Sequence, residues 1–150
     1  MMLIATQRIR VEWAHCDPAR IIFNPNYYIW MDQGTHALLQ AAGFDLISEV
    51  RDNKSFRGCP LVTSKMDFVR PLYFGDRVTL SSQVTRFGNK SFDVRHEFRK
   101  TDDNNLVAVG VEIRVWGSSH PENSEKLIAC SVPANVREML SVSKTVDVTP

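Results

Sequence analysis

Asp17 is the residue from which a chemical reading of this sequence starts. It lies in the run His15-Cys16-Asp17-Pro18-Ala19-Arg20-Ile21-Ile22-Phe23-Asn24-Pro25-Asn26-Tyr27-Tyr28, between a segment with strand period and a long apolar segment with helical period. A carboxylate just ahead of a helix can attack a carbonyl carbon or activate water beside it. The unpaired N–H groups of the first helical turn can hold the carbonyl oxygen as charge develops there. The stretch is therefore read as an active site for acyl chemistry, using one acid and one backbone donor.

The other candidates are weaker. His15 and Cys16 are neighbours in an extended segment and project to opposite sides, so they do not form an activated nucleophile pair. Cys16 reads as a small packed thiol. His36 lies one helical turn from Asp32, a spacing metals can use, but no third ligand accompanies it and no metal is expected. His96 sits on an apolar strand face as a hydrogen-bonded core histidine, and His120 lies in a polar loop. Ser118-Ser119 lacks the glycine context of a nucleophile elbow.

Asp32 carries more weight, because a carboxylate on an apolar helix needs a partner. That partner is Tyr28, His36, another strand or a ligand. Arg86, Lys90 and Arg95 flank one hairpin, either as a solvated cluster or as a grip for a phosphate-bearing ligand.

These residues must be positioned by a helix and several strands. Gln7 to Trp13 alternates, with Ile9, Val11 and Trp13 on one face, as a half-buried strand does. Asn24 offers a capping side chain and Pro25 suits the first helical position, so the helix begins there and stops at Gly43. Tyr27, Trp30, Met31, Gly34, Ala37, Leu38 and Ala41 recur at helical spacing, and Tyr28, Ile29 and Leu39 widen the stripe, predicting a helix buried on most sides. Gly34 inside a helix costs about 1 kcal/mol relative to alanine, which close packing on a sheet explains.

Phe44 to Asn53 reads as a turn or short helix, and strands follow. Cys59–Val69, Arg77–Phe87, Ser91–Arg99 and Leu106–Trp116 are separated by turns at Tyr73-Phe74-Gly75-Asp76, Gly88-Asn89-Lys90 and Thr101 to Asn105. Val107, Val109, Val111, Ile113 and Val115 form a wholly β-branched face, the mark of a central strand. Lys126–Val132 is a shorter strand and Pro133–Leu140 a short helix. The expected architecture is α+β: a long central helix wrapped by a curved antiparallel sheet of about five or six strands. Residues 1–140 read as one domain and 141–150 as a tail, either disordered or pinned at a sheet edge.

Composition narrows the class. The chain has 150 residues and a net charge of +1, which leaves no footprint for nucleic acid or an anionic membrane. Three widely spaced cysteines show no zinc or redox spacing, and neither a secretory leader nor a membrane span is recognisable. A cytoplasmic protein is expected.

The run from Asp17 to Tyr27 with Trp30 and Asp32, together with Lys90-Ser91-Phe92 and Arg95-His96, resembles the signature of the hot-dog-fold acyl-CoA thioesterases in their 4-hydroxybenzoyl-CoA thioesterase branch. Element order agrees from Ile9 to about Val136. The resemblance implies that Asp17 is the catalytic carboxylate and that the Asn24 backbone N–H polarises the thioester carbonyl. It also implies that Asp32 contacts the acyl group, with Tyr27 and Arg20 at the same site, and that Lys90, with Ser91 beside it, holds CoA phosphates.

It implies homodimers, paired into tetramers, with active sites at subunit interfaces and no cofactor beyond the CoA of the substrate. Two positions depart from the pattern: a glycine is usual where Arg20 stands, so that Arg20 either narrows the pocket, pairs with Asp17 or binds a polar acyl group, and an aromatic residue is usual where Asn24 stands. Gly88 and Asn89 replace basic residues, which implies a weaker or different CoA grip.

The expected reaction is hydrolysis of an aryl or short to medium acyl-CoA to free acid and CoA, with Asp17 as nucleophile or general base. A thioester suits so spare a site, since the leaving thiol has a pKa of about 8.5. Two alternatives are a thioesterase acting on acyl carrier protein and a non-catalytic acyl-CoA binding module. A dehydratase of the same fold would need a histidine at the helix start, and His36 lies well beyond it.

Overall fold

The computed structural model describes residues 2–150. In chain order its elements are β1 (Ile4–Arg10), a 3-10 turn (Trp13–His15), α1 (Pro25–Ala41), α2 (Leu46–Asp52), β2 (Leu61–Phe68), β3 (Arg77–Phe87), β4 (Ser91–Lys100), β5 (Leu106–Ser119), β6 (Leu127–Cys130), α3 (Ala134–Leu140) and β7 (Thr145–Asp147). The strands form one sheet in the order β2-β5-β4-β3-β1-β7, with β6 paired to the far end of β5. Every pairing is antiparallel except that of β1 with β7. The sheet has seven strands, one more than the upper expectation, because the tail supplies the edge strand β7.

The main helix follows its sequence signals closely. Pro25 occupies the first helical position. At the other end Gly43 adopts φ +97°, and its N–H bonds to the Gln40 carbonyl while that of Phe44 bonds to Leu39. This is the paired closure of a left-handed C-cap, with Leu39 and Phe44 packed in the same cluster.

Asn24 departs from expectation: its side chain makes no capping hydrogen bond. Its backbone is already helical (φ −48°, ψ −41°), and side-chain capping requires an extended residue at that position.

The helix lies on the sheet through Tyr27, Trp30, Met31, Gly34, Thr35, Leu38 and Leu39. It is not buried on most sides, since Tyr28 and Ile29 remain exposed in the single chain. Gly34 sits where a Cβ would stand 2.6 Å from the Ser82 hydroxyl, so the close approach inferred from its position is real.

The first strand also differs, ending at Arg10 rather than Trp13. Val11 bonds instead to Gly75 and Asp76 of the β2–β3 loop, and the Glu12 N–H to His15 Nδ1 closes the 3-10 turn. Trp13, expected inward, is 73% exposed and meets Phe74 edge-on.

β5 is central, as its composition indicates, but it turns an unexpected face to the helix. Gly110, Glu112 and Arg114 face α1, while Val109, Val111, Ile113 and Val115 form a half-buried stripe on the opposite side. The core accordingly divides into two apolar clusters. One is centred on Leu38, Phe44, Phe92 and Trp116, the other on Tyr27, Trp30, Leu80 and Phe98. No helix among the described residues is long and apolar enough to cross a membrane.

Candidate active site

The loop carrying Asp17 is folded tightly onto the start of α1. The Asp17 N–H bonds to the Ile21 carbonyl at 3.1 Å, the Arg20 N–H returns to the Asp17 carbonyl at 2.8 Å, and Cys16 bridges Ile22. This reversal places Arg20 at φ +67°, a left-handed conformation that glycine adopts freely. A glycine at that position would therefore be unstrained. The His15 carbonyl accepts from the Phe23 N–H and from Asn26 Nδ2, tying the loop to the helix.

Asp17 is half-buried, and its Oδ1 accepts the Ala19 N–H at 2.8 Å. Among the described residues no donor reaches Oδ2. The carboxylate faces a cavity of about 500 Å³ lined by Trp13, Cys16, Arg20, Tyr73 and Phe74.

At the helix start, none of the described residues accepts from the Asn24 N–H. Asn24 lines a second cavity of about 250 Å³ with Ile21, Ile22, Tyr27, Phe68 and Arg70. Within one chain, then, the acid and the backbone donor share one loop-helix unit but open into different cavities.

The other expected site residues divide between roles. Tyr27 is mainly a core residue, 3% exposed, with ring contacts to Trp30, Phe68 and Phe98. Burial and then the charge of Asp76 push its phenol up to about 12, so it stays protonated and lines the Asn24 cavity. Asp32 finds its partner on a strand: Arg114 Nη2 donates to it at 2.6 Å, and His36 Nδ1 lies 3.8 Å away. Asp32 lines neither cavity of the single chain, and half of its side chain stays exposed.

At the β3–β4 hairpin, Arg86 pairs with Asp93 and Arg95 with Glu97. Lys90 is left as the exposed cation of that hairpin, with no acid partner among the described residues. Ser91 is half-buried beside it, its hydroxyl 3.5 Å from Arg86.

Behind Asp32 runs a buried polar seam that sequence reasoning found only at His96. Ser82 Oγ and His96 Nδ1 lie 2.8 Å apart, and His96 Nε2 lies 3.4 Å from Glu112. Thr35 donates to Glu112 at 2.6 Å, and Arg114 holds the same carboxylate through Nε and Nη2. Burial alone would raise Glu112, but hydrogen bonds from His96, Arg114 and Thr35 and the guanidinium charge bring it down to about 2. The one available signal was the alternation of Glu112 and Arg114 with β-branched residues. It reads equally well as a solvated face.

A long helix laid across a mainly antiparallel sheet, with an acid-bearing loop at its N-terminus, defines the hot-dog class of α+β proteins. Residues 20–107 match the model of the thioesterase superfamily. Over 139 residues, 91% of the chain, it is 30% identical to the 4-hydroxybenzoyl-CoA thioesterase of Pseudomonas sp. (strain CBS-3), of which 96% is covered.

A crystal structure of a 4-hydroxybenzoyl-CoA thioesterase mutant complexed with 4-hydroxybenzoyl-CoA superimposes with a TM-score of 0.84 at 28% identity, covering 92% of this chain and 99% of that one. The structure of a gentisyl-coenzyme A thioesterase superimposes with a TM-score of 0.76 at 34% identity, covering 91% and 99%. The chain belongs to the thioesterase superfamily. It is a hydrolase of acyl-CoA thioesters.

Proposed function

We propose that this hydrolase cleaves an acyl-CoA bearing an aryl or a short to medium acyl group, with Asp17 as nucleophile or general base and the Asn24 backbone N–H as oxyanion donor. The observation that carries the reading is the Asn24 N–H, without an acceptor among the described residues at the start of α1, next to a loop that fixes the Asp17 carboxylate. The helix dipole and that N–H stabilise the oxyanion as the carbonyl becomes tetrahedral. As nucleophile, Asp17 forms an acyl anhydride, expels the CoA thiolate, and is regenerated when water opens the anhydride. As base, it takes a proton from water, whose oxygen attacks the carbonyl directly. Either way one water is consumed, and free acid and CoA are released.

A second copy of the chain completes the site. β2 is an edge of the sheet, and Leu61, Val62 and Phe68 on it are exposed. α1 runs beside this edge, since Tyr27 touches Phe68 and Asp32 bonds Arg114, the residue opposite Leu61. Its exposed Tyr28 and Ile29 continue the same apolar flank. Pairing two such edges covers this surface and brings the exposed half of Asp32 toward the acyl group. The Val109 to Val115 stripe on the outer face suits the pairing of dimers. Lys90 and Ser91, at the β3–β4 hairpin, receive CoA phosphate.

The test is thiol release from a panel of aryl, short and medium acyl-CoAs by the wild type and by Asp17→Asn. The variant should lose about 10²- to 10⁴-fold in kcat, with an unchanged circular dichroism spectrum and retained binding of acyl-CoA. An active Asp17→Asn enzyme overturns the assignment. Matched acyl-carrier-protein substrates in the same assay separate the two carriers.

A further inference from the structure

Arg20 stands out for three reasons. With Asn104 it is one of two non-glycine residues at positive φ among the described residues. Asparagine tolerates that region, whereas a long side chain there costs about 1–2 kcal/mol that glycine would avoid. Retained strain at a site is a pointer to function.

Arg20 is also exposed and makes no ion pair or hydrogen bond through its side chain among the described residues, although Asp17 lies in the same loop. Arg86, Arg95, Arg99 and Arg114, in contrast, each hold a carboxylate.

Finally, Arg20 borders the cavity of about 500 Å³ that holds Asp17, whose aromatic walls stand largely open: Trp13 is 73% exposed, Tyr73 51% and Phe74 53%. Flat aromatic faces accept a planar group, and a guanidinium without a protein partner accepts an anion in fork geometry.

We infer that Arg20 reads an anionic substituent on the acyl group, so that the preferred thioesters carry a carboxylate or like anion on an aromatic or other planar acyl chain. This rests on the reading of Asp17 as the catalytic acid. Without Arg20 the Asp17 carboxylate would repel such a group; with it, the two lining charges cancel. The guanidinium, which no carboxylate among the described residues occupies, accepts the anion, while Asp32 is already held by Arg114. A CoA phosphate is the other source of that charge, but the whole pantetheine arm separates it from the thioester, whereas Arg20 and Asp17 share one cavity.

The test compares terephthaloyl-CoA with one free carboxylate, its methyl ester, and benzoyl-CoA. Wild type should favour the carboxylate over the ester by at least about 10-fold in kcat/KM, the discrimination of one charge-assisted hydrogen bond. Arg20→Gly should erase that ratio and Arg20→Lys keep part of it. Arg20→Gly should not lower the unfolding midpoint, because it relieves the left-handed φ. Absence of preference in the wild type overturns the inference. So does an Arg20→Gly loss of equal size on all three thioesters that is matched by weaker binding of free CoA, which would assign Arg20 to the phosphates.

If neither these three aryl thioesters nor any short or medium acyl-CoA is hydrolysed, the catalytic reading fails. The inference is then decided by titrating the non-hydrolysable thioether analogues of the carboxylate and the ester into both proteins. Tighter binding of the carboxylate by wild type alone supports it, and equal binding overturns it.

Discussion

Glu112 is charged in a place where charge is expensive, and its partners explain why it persists. It is 1% exposed and receives hydrogen bonds from Thr35 and Arg114, with His96 in contact on the other side. Removing either member of such a pair strands a buried charge, which costs about 3–5 kcal/mol. Arg114 spans the seam, from the buried Glu112 to the half-exposed Asp32, and Nη1 donates to the Cys59 carbonyl at 3.0 Å.

The sign of the pH dependence follows. The Glu112 carboxyl sits below its ordinary value of 4.5, at about 2. Its stabilising contribution is therefore fully present above the unfolded value and is lost as pH falls from about 4.5 through about 2. Urea unfolding across that window should show stability falling by a few kcal/mol, and Glu112→Gln should flatten the slope. A Glu112→Gln protein with the wild-type slope would show that other carboxylates govern acid unfolding.

At the scale of elements, the packing of α1 on β3 turns on Gly34. A methyl there would stand 2.6 Å from Ser82 Oγ and 3.2 Å from His96 Nδ1, two atoms already hydrogen-bonded to each other. Alanine gains about 1 kcal/mol of helix propensity, but the forced shift costs about 1–3 kcal/mol and disturbs the seam. Gly34→Ala should therefore lower the denaturation midpoint, and an unchanged or raised midpoint would mean that helix and strand separate without loss.

The reasons this element could be read beforehand are local. Pro25 and Gly43 mark its ends, and the strict alternation and turn residues of Arg77–Phe87 and of the strand starting at Ser91 set those boundaries. What could not be read depends on partners distant in the chain. β1 stops early because Val11 bonds to Gly75 and Asp76, and β5 shows Glu112 and Arg114 to the helix because Thr35 and Asp32 wait there. The same applies to the site. Asp17 and Asn24 were legible in one motif, while the aromatic walls from Trp13, Tyr73 and Phe74 come from two loops that only the fold brings together.

For the molecule as a whole, the question is why one chain leaves its proposed site in two cavities with Asp32 in neither. The proposed answer is that the chain is half of the working unit. An open edge strand with exposed Leu61, Val62 and Phe68 is a surface that proteins pair or protect. Here Tyr28 and Ile29 extend it onto the helix that carries Asn24.

Ile29→Lys tests this with little cost to the isolated fold, because Ile29 is 52% exposed and packs in neither core cluster. Wild type should sediment as a dimer or a pair of dimers. Ile29→Lys should shift toward monomer and keep its far-ultraviolet circular dichroism. At equal chain concentration it should lose about 10-fold or more of its thiol-release rate, in line with a charge buried at an interface core. The lost activity should return as protein concentration rises, since mass action restores the pair. A wild-type monomer with full activity would show instead that the acid and the backbone donor meet within one chain.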